Sequence, residues 1–139
     1  MPNEQYKPTP AEEDKAKEMS AKRERILARL KTAEGGASVI MGARELGIPE
    51  EEIKAYALRV VAADARRGFD LDPVFTMARN TGIATKEEID TVVKKALAER
   101  LKEFPADTFA AEYVYGRESR EYLRAKEALA REEKEREKE

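Results

Sequence analysis

The sequence predicts an all-α fold: a small bundle of four to five short helices, with a long polar N-terminal helix and a charged C-terminal helix or tail. Three observations lead to this prediction. Apolar residues recur at three- and four-residue steps in several segments, and no segment alternates apolar and polar residues as a strand does. Charged residues make up 40% of the 139-residue chain, which also lacks Trp, so the core must be small.

The chain divides by composition into three parts. Residues 1–25 are predicted to be a flexible leader and N-terminal arm, residues 26–104 a helical body, and residues 105–139 an aromatic segment with a charged extension. The leader is rich in Pro, and the helix predicted from Ala11 to Glu34 has a polar N-terminal half. We expect that half to be helical only where another surface supports it. Its narrow apolar stripe consists of Met19, Ile26, Leu27 and Leu30.

Glycine and proline residues mark the boundaries of the first body helices. Gly35 and Gly36 end the first helix, and "ASVIMGAREL" is predicted as a short second helix with Gly47 as its left-handed cap. Pro49 opens a third helix that runs to about Arg67. Its buried face is predicted to carry Ile53, Tyr56, Ala57, Val60, Val61 and Asp64.

Two more helices complete the predicted body. Asp72 is predicted to cap the fourth helix, and Gly82 closes it. The fifth helix begins with a capping box formed by Thr85 and Glu88, and it ends at Pro105. Its buried side is predicted to carry Ile89, Val92, Val93, Ala96, Leu97, Leu101 and Phe104.

Composition removes most catalytic and metal-binding chemistry. The chain has neither Cys nor His, so it lacks thiolate nucleophiles, imidazole acid–base groups and the usual zinc ligands. Its carboxylates lie in solvent-type runs, with no apolar pocket evident to shift their pKa values. We therefore expect a protein that is not an enzyme and that has no catalytic residue, no metal site and no cofactor.

Charge and hydropathy bear on partners and location. Lys and Arg number 27 and Asp and Glu 29, and the two signs are interspersed, so no basic block would cover a phosphate backbone. No apolar run approaches a membrane span, and the N-terminus lacks the residue order of a secretory signal. We expect a cytoplasmic protein, or one of the mitochondrial matrix if organellar, which could sit at the periphery of a membrane complex without inserting into it.

The segment from Ala43 to Gly68 has the spacing of a DNA-binding helix-turn-helix. Ala43, Gly47 and Ile53 occupy the positions where such motifs need a small residue, a turn glycine and a buried aliphatic residue. The second helix, however, begins with Glu50–Glu52, whose carboxylates would repel a phosphate backbone. A packed helical corner is therefore the favoured interpretation, and specific DNA binding is the weaker alternative.

Ordered motifs in the body resemble one known family. They are Leu46-Gly47, Ala55-Tyr56-Ala57, Val60-Val61 with Asp64, Asp72 with Val74-Phe75, and Glu88-Ile89 ahead of Leu97. In order and spacing this series resembles the zeta subunit family, the small inhibitory subunit of certain bacterial F-type ATP synthases, over about Glu12 to Glu103. The chain departs from that family in lacking Trp, in the inserted "GGASVIM" segment, and in its Pro-rich leader and C-terminal extension.

The resemblance implies a regulatory subunit without enzymatic activity. Its four-helix body would dock on the catalytic head of the ATP synthase, and its N-terminal segment would become helical as it wedges between catalytic subunits and blocks hydrolysis. The stretch from Ala11 to Arg25 occupies the corresponding place, and its polar composition suits an arm that folds on binding. The arm contacts that the resemblance implies are Glu12, Glu13, Asp14, Lys15, Lys17, Glu18, Lys22, Arg23 and Arg25.

A small helical adaptor or structural subunit is the alternative to an inhibitor. The aromatic segment would then bind another protein, and its candidate surface residues are Phe109, Tyr113, Tyr115 and Tyr122. We expect the first three to fold back on the bundle instead, because a small core needs large side chains. The arm residues also have a simpler interpretation, since charged side chains on a helix are solvated by default.

Overall fold

The computed structural model of the protein describes residues 7–138, which form seven helices and no strand. The predicted all-α class is confirmed, whereas the prediction for the leader at residues 1–6 lies outside the described residues. The helices are α1 (Pro10–Arg29), α2 (Ala37–Glu45), α3 (Glu50–Arg66), α4 (Asp72–Thr81), α5 (Lys86–Glu103), α6 (Thr108–Tyr115) and α7 (Arg120–Glu137).

The third helix, α3, is the centre of the bundle. Its N-terminal half belongs to a core cluster that includes α2 and Leu30, the residue after α1, and its C-terminal half belongs to a second cluster with α4, α5 and α6. The most extensive packing contact in the described part of the chain joins α3 to α5. The largest side chains with almost no exposed area are Tyr56, Ile40, Ile53, Leu97, Val61 and Val93.

Most of the predicted helix ends are confirmed. Gly47 has a φ of 72° and Gly82 a φ of 62°, values in the left-handed region that only glycine adopts without strain. In the capping box of α5, the Thr85 side chain accepts from the Glu88 backbone N–H and the Glu88 carboxylate accepts from the Thr85 N–H. Local sequence signals therefore determine where these helices start and stop.

The first helix ends earlier than predicted. It stops at Arg29 instead of Glu34, and a turn followed by an irregular segment occupies residues 30–36. Two side chains of α3 hold this turn: the Tyr56 hydroxyl donates to the carbonyl of Glu34, and the Arg59 guanidinium donates to the carbonyl of Leu30. These long-range hydrogen bonds satisfy carbonyls that a longer helix would have used internally.

The start of α4 also differs from the prediction. Leu71 is the residue before the helix and Asp72 is its first residue, so Asp72 does not cap it. Asp70 takes part of that role, because its Oδ1 accepts from the Asp72 backbone N–H at 3.0 Å.

The sixth helix was not predicted as a helix. Asp107 caps the start of this helix, since its Oδ1 accepts from the Ala110 N–H at 3.0 Å. Its other carboxylate oxygen, Oδ2, lies 2.5 Å from Nε of Arg100, so an ion pair holds the capping residue against α5. The helix packs through Ala110 and Ala111, which are buried, and not through its aromatic side chains. Phe104 was predicted to be buried but is 45% exposed; the Arg100 guanidinium lies over its ring, 4.4 Å from the ring centroid.

Candidate functional site

The N-terminal helix α1 is stabilised mainly by its own sequence. The Thr9 hydroxyl accepts from the Glu12 backbone N–H at 3.2 Å, Pro10 occupies the first helical position, and Glu12 and Glu13 lie in the first turn. No residue of this 20-residue helix is buried, and every side chain from residue 7 to residue 25 is exposed. We expected helix formation on contact with a partner, but this segment is already helical in the isolated chain.

The C-terminal end of α1 attaches it to α2. Lys22 Nζ lies 3.2 Å from Oε2 of Glu45, and Ile26 lies against Gly42. A Cβ atom at Gly42 would be only 2.8 Å from the Ile26 side chain, so the missing side chain allows the two helices to approach. Because position 22 meets position 45 and position 26 meets position 42, the two helices run antiparallel.

The predicted arm residues fall into two groups. Lys22 and Arg23 reach the body, and Arg23 donates to the carbonyl of Leu46 at 3.5 Å. The other predicted residues lie on the exposed helix away from this attachment, or on its outer sides. They are Glu12, Glu13, Asp14, Lys15, Lys17, Glu18 and Arg25.

Met19 was placed in the apolar stripe but was not among the predicted arm contacts. It is 56% exposed, whereas Ile26 and Leu27 of the same stripe are partly buried against the core. Its position in the stripe was the sequence signal that could have singled it out. The exposed part of α1 therefore presents one large apolar side chain among charged ones.

Some aromatic side chains of the C-terminal region are partly buried, and others are exposed. Tyr113 is partly buried and its hydroxyl donates to Asp90 at 2.7 Å; burial, and then this hydrogen bond, raise the pKa of Tyr113 to about 12. Tyr122 is also partly buried, with Lys126 Nζ 5.5 Å from its ring. Phe109 and Tyr115, in contrast, are 56% and 48% exposed, so our expectation that they pack is wrong.

A shallow cavity of about 300 Å³ adjoins Phe109. Phe69, which is 55% exposed, lies on the same cavity, and Leu71 and Leu97 contribute further apolar surface. Phe109 therefore lies beside the α3–α4 connection, whereas the exposed Tyr115 and Leu123 do not line this cavity.

The segment with the helix-turn-helix spacing forms the corner between α2 and α3. Ala43 and Ile53 have no exposed area and belong to the core, as the motif also requires, whereas Gly47 at the turn is exposed. Arg44 Nε lies 2.8 Å from Oε1 of Glu50, and the same guanidinium donates to the carbonyl of Thr81 at 2.6 Å. Glu50 thus forms an ion pair across the corner, and the same Arg44 side chain joins the corner to the end of α4.

Residues 7–138 contain no cluster of three or more acidic side chains that could hold a metal ion. Within the same part of the chain, no helix combines the length and the apolar character needed to cross a membrane.

Comparisons of the chain with protein-family profiles, with curated proteins and with solved structures gave no match. The candidate site is therefore defined by the geometry of α1 and, second, by the exposed aromatic side chains near α6.

Proposed function

We propose that this protein is a non-enzymatic regulatory subunit that binds the catalytic head of an F-type ATP synthase and inhibits ATP hydrolysis through α1. The observation that carries the proposal is the projecting first half of α1. This segment is capped and helical, yet none of its residues is buried against the described body. A helix with this little support from its own domain is suited to packing on another protein.

The positions that carry the family resemblance also support the proposal. Four of the five residues in the Ala-Tyr-Ala and Val-Val motifs on α3 are at most 6% exposed: Tyr56, Ala57, Val60 and Val61. Leu97 of α5 is 2% exposed and packs in the same core as Val61. These buried motif residues therefore hold the helices together, whereas Ala55 and Asp72 of the same series are exposed.

Attachment of the arm to a folded body favours inhibition energetically. The body, once docked, would hold α1 at a high effective concentration near its binding site. Because the arm is already helical, less conformational entropy is lost on contact than for a disordered segment. The body and α1 therefore act as two connected binding elements.

The proposal is tested with the purified F-type ATPase of the source organism. ATP hydrolysis is measured alone, with the full chain, and with a chain that lacks residues 1–25. We expect the full chain to lower the rate and the shortened chain to leave it unchanged. Equal rates in all three reactions would refute the proposed function.

The second candidate function is an adaptor without inhibitory activity. It is favoured by a different observation, the exposure of Phe109, Tyr115 and Leu123 near the C-terminus. Hydrogen exchange of the full chain bound to its native partner separates the two candidates. Protection of residues 109–122 with an unprotected α1 would support the adaptor, and the reverse pattern would support the inhibitor.

A further inference from the structure

The face of α1 that packs on the body continues beyond the body. Met19, Ile26 and Leu30 are separated by seven and four residues, so at 3.6 residues per turn they lie along one side of the helix. Exposure increases along this line, from Leu30 at 7% to Met19 at 56%, with Ile26 partly buried between them. Met19 therefore lies on the packing face but has no surface opposite it in the described body.

The reason is the length of α2. This helix ends at Glu45, and Lys22 and Arg23 contact its last turn and its cap residue Leu46. Since the two helices are antiparallel, the next turn of α1 toward the N-terminus, which carries Met19, passes beyond the end of α2. The apolar contact face is thus continuous with an existing helix interface and is interrupted only where its partner helix stops.

Basic side chains flank Met19 on this face. Lys15 is four residues before it and Arg23 four residues after it, positions that lie on the same side of an α-helix. Arg23 already donates to the body, whereas Lys15 is exposed on the projecting part. Lys17, two residues before Met19, lies near the opposite side.

We propose that Met19 is the apolar anchor of α1, and that it inserts into an apolar groove of the catalytic head whose rim carries carboxylates that contact Lys15. This inference rests on the proposed function and specifies which face of the arm binds and what surface receives it. An unbranched Met side chain fits an irregular groove, and a cation beside it is complementary to an acidic rim. The opposite side of α1 would face solvent in the complex, so this inference excludes Lys17 from the arm contacts that the family resemblance implies.

The apolar part of the proposal is tested by comparing Met19→Glu with Met41→Glu. Met41 is a matched control, because it is 55% exposed and lies on α2, another surface helix. Binding to the purified ATPase by calorimetry and inhibition of hydrolysis are measured for each full-length variant. We expect Met19→Glu to weaken both at least tenfold and Met41→Glu to change neither more than twofold.

The charge part is tested by comparing Lys15→Glu with Lys17→Glu. Both substitutions change the net charge equally, so a general electrostatic attraction would affect them equally. We expect Lys15→Glu to weaken binding about tenfold, with a loss that is smaller at high salt, and Lys17→Glu to weaken it less than threefold. Equal effects of the two variants would overturn the assignment of the binding face.

The outcomes distinguish the inference from the proposed function. If the wild-type chain inhibits and Met19→Glu inhibits equally well, the anchor is refuted while the proposed function stands. If the wild-type chain neither binds nor inhibits, the proposed function is refuted and the anchor with it. Thermal unfolding of each variant is measured in parallel, and a lowered midpoint for Met19→Glu would contradict its exposed position and hence the inference.

Discussion

The two ends of the described chain carry exposed, charged helices that differ in how their charges are used. In α7, ion pairs form within the helix, between Arg131 and Glu127 and between Arg136 and Glu132. In α1, Lys22 instead pairs with Glu45 on another helix. Charge pairs one turn apart stabilise a helix without any neighbour, whereas a pair between helices orients one helix against the other.

The two helices also differ in whether their projecting parts carry an exposed apolar side chain. Helix α7 docks on α6 near its own start, where Ala125 is buried, and only charged residues follow in its last two turns. Helix α1 docks near its end, and its projecting half still presents Met19. A projecting helix whose side chains are all charged is fully solvated and needs no partner. An exposed apolar residue on a packing face is instead typical of a surface that binds another protein.

The largest effect is expected from breaking each projecting helix with proline. Ala16→Pro lies in the exposed half of α1, and Ala130→Pro is the matched change in the exposed half of α7. Proline inside a helix costs about 3 kcal/mol and removes a backbone hydrogen bond. We expect Ala16→Pro to abolish inhibition of ATP hydrolysis and Ala130→Pro to leave it intact. Retained inhibition in Ala16→Pro would contradict the role proposed for α1.

A second comparison separates each helix from its docking partner. Gly42→Leu places a side chain where Ile26 packs, and Ala125→Leu overfills the contact between α7 and α6. We expect each variant to lose about 1–3 kcal/mol of stability, since overpacking forces neighbouring side chains to move. Hydrogen exchange should increase in α1 for the first and in α7 for the second. Faster exchange in both helices with either variant would show that the two ends are coupled.

The third prediction concerns the support beneath α7. Tyr113→Phe removes the hydrogen bond that joins α6 to Asp90 on α5, and we expect a loss of about 1 kcal/mol in the free energy of unfolding at neutral pH. Since α7 packs on α6, its amide protons should exchange faster, while those of α1 should not change. Urea unfolding monitored by circular dichroism, together with hydrogen exchange, measures both effects.

Burial of Tyr113, together with the same hydrogen bond, predicts a pH dependence of stability. Because the folded-state pKa of Tyr113 is raised to about 12 from an ordinary value of 10, folding favours the protonated phenol. Its contribution is complete below pH 10 and is lost as the pH rises toward 12. The stability difference between wild type and Tyr113→Phe should therefore shrink over this range, and a constant difference would contradict the assignment.

The smallest effects are expected at the surface ion pairs. Arg131→Ala removes a pair within α7 and should lower the free energy of unfolding by no more than about 0.5 kcal/mol. Lys22→Ala should cost less than about 1 kcal/mol by thermal unfolding, but it should increase hydrogen exchange in α1. If Lys22→Ala leaves hydrogen exchange in α1 unchanged, the pair between α1 and α2 has no orienting role.

Much of the fold could be predicted from local signals. Gly47, Gly82 and the Thr85–Glu88 capping box act within a few residues of their own positions, so their sequence context was sufficient. Helix α6 was missed because its aromatic residues suggested a packing role, whereas Ala110 and Ala111 make the contact. The Asp107 cap preceding α6 was available in the sequence as a start signal.

The candidate site could be predicted only in part. The charged arm was evident from composition, but the residues of α1 that remain uncovered depend on where α2 ends in space. The same holds for Tyr113, which packs against the second core cluster and donates a hydrogen bond to Asp90 of another helix. Phe109 is on the same helix as Tyr113 but is exposed.

The sequence by itself determined the helical class, most helix boundaries and the polar character of both ends, because caps, periodicity and charge act over one or two turns. Only the tertiary structure decided which side chains lack a neighbour. The turn after α1 is held by Tyr56 and Arg59 of α3, and α2 stops one turn short of Met19. Burial of a side chain depends on the residues that pack against it, and these residues are often far away in the sequence, so local sequence patterns do not reveal them.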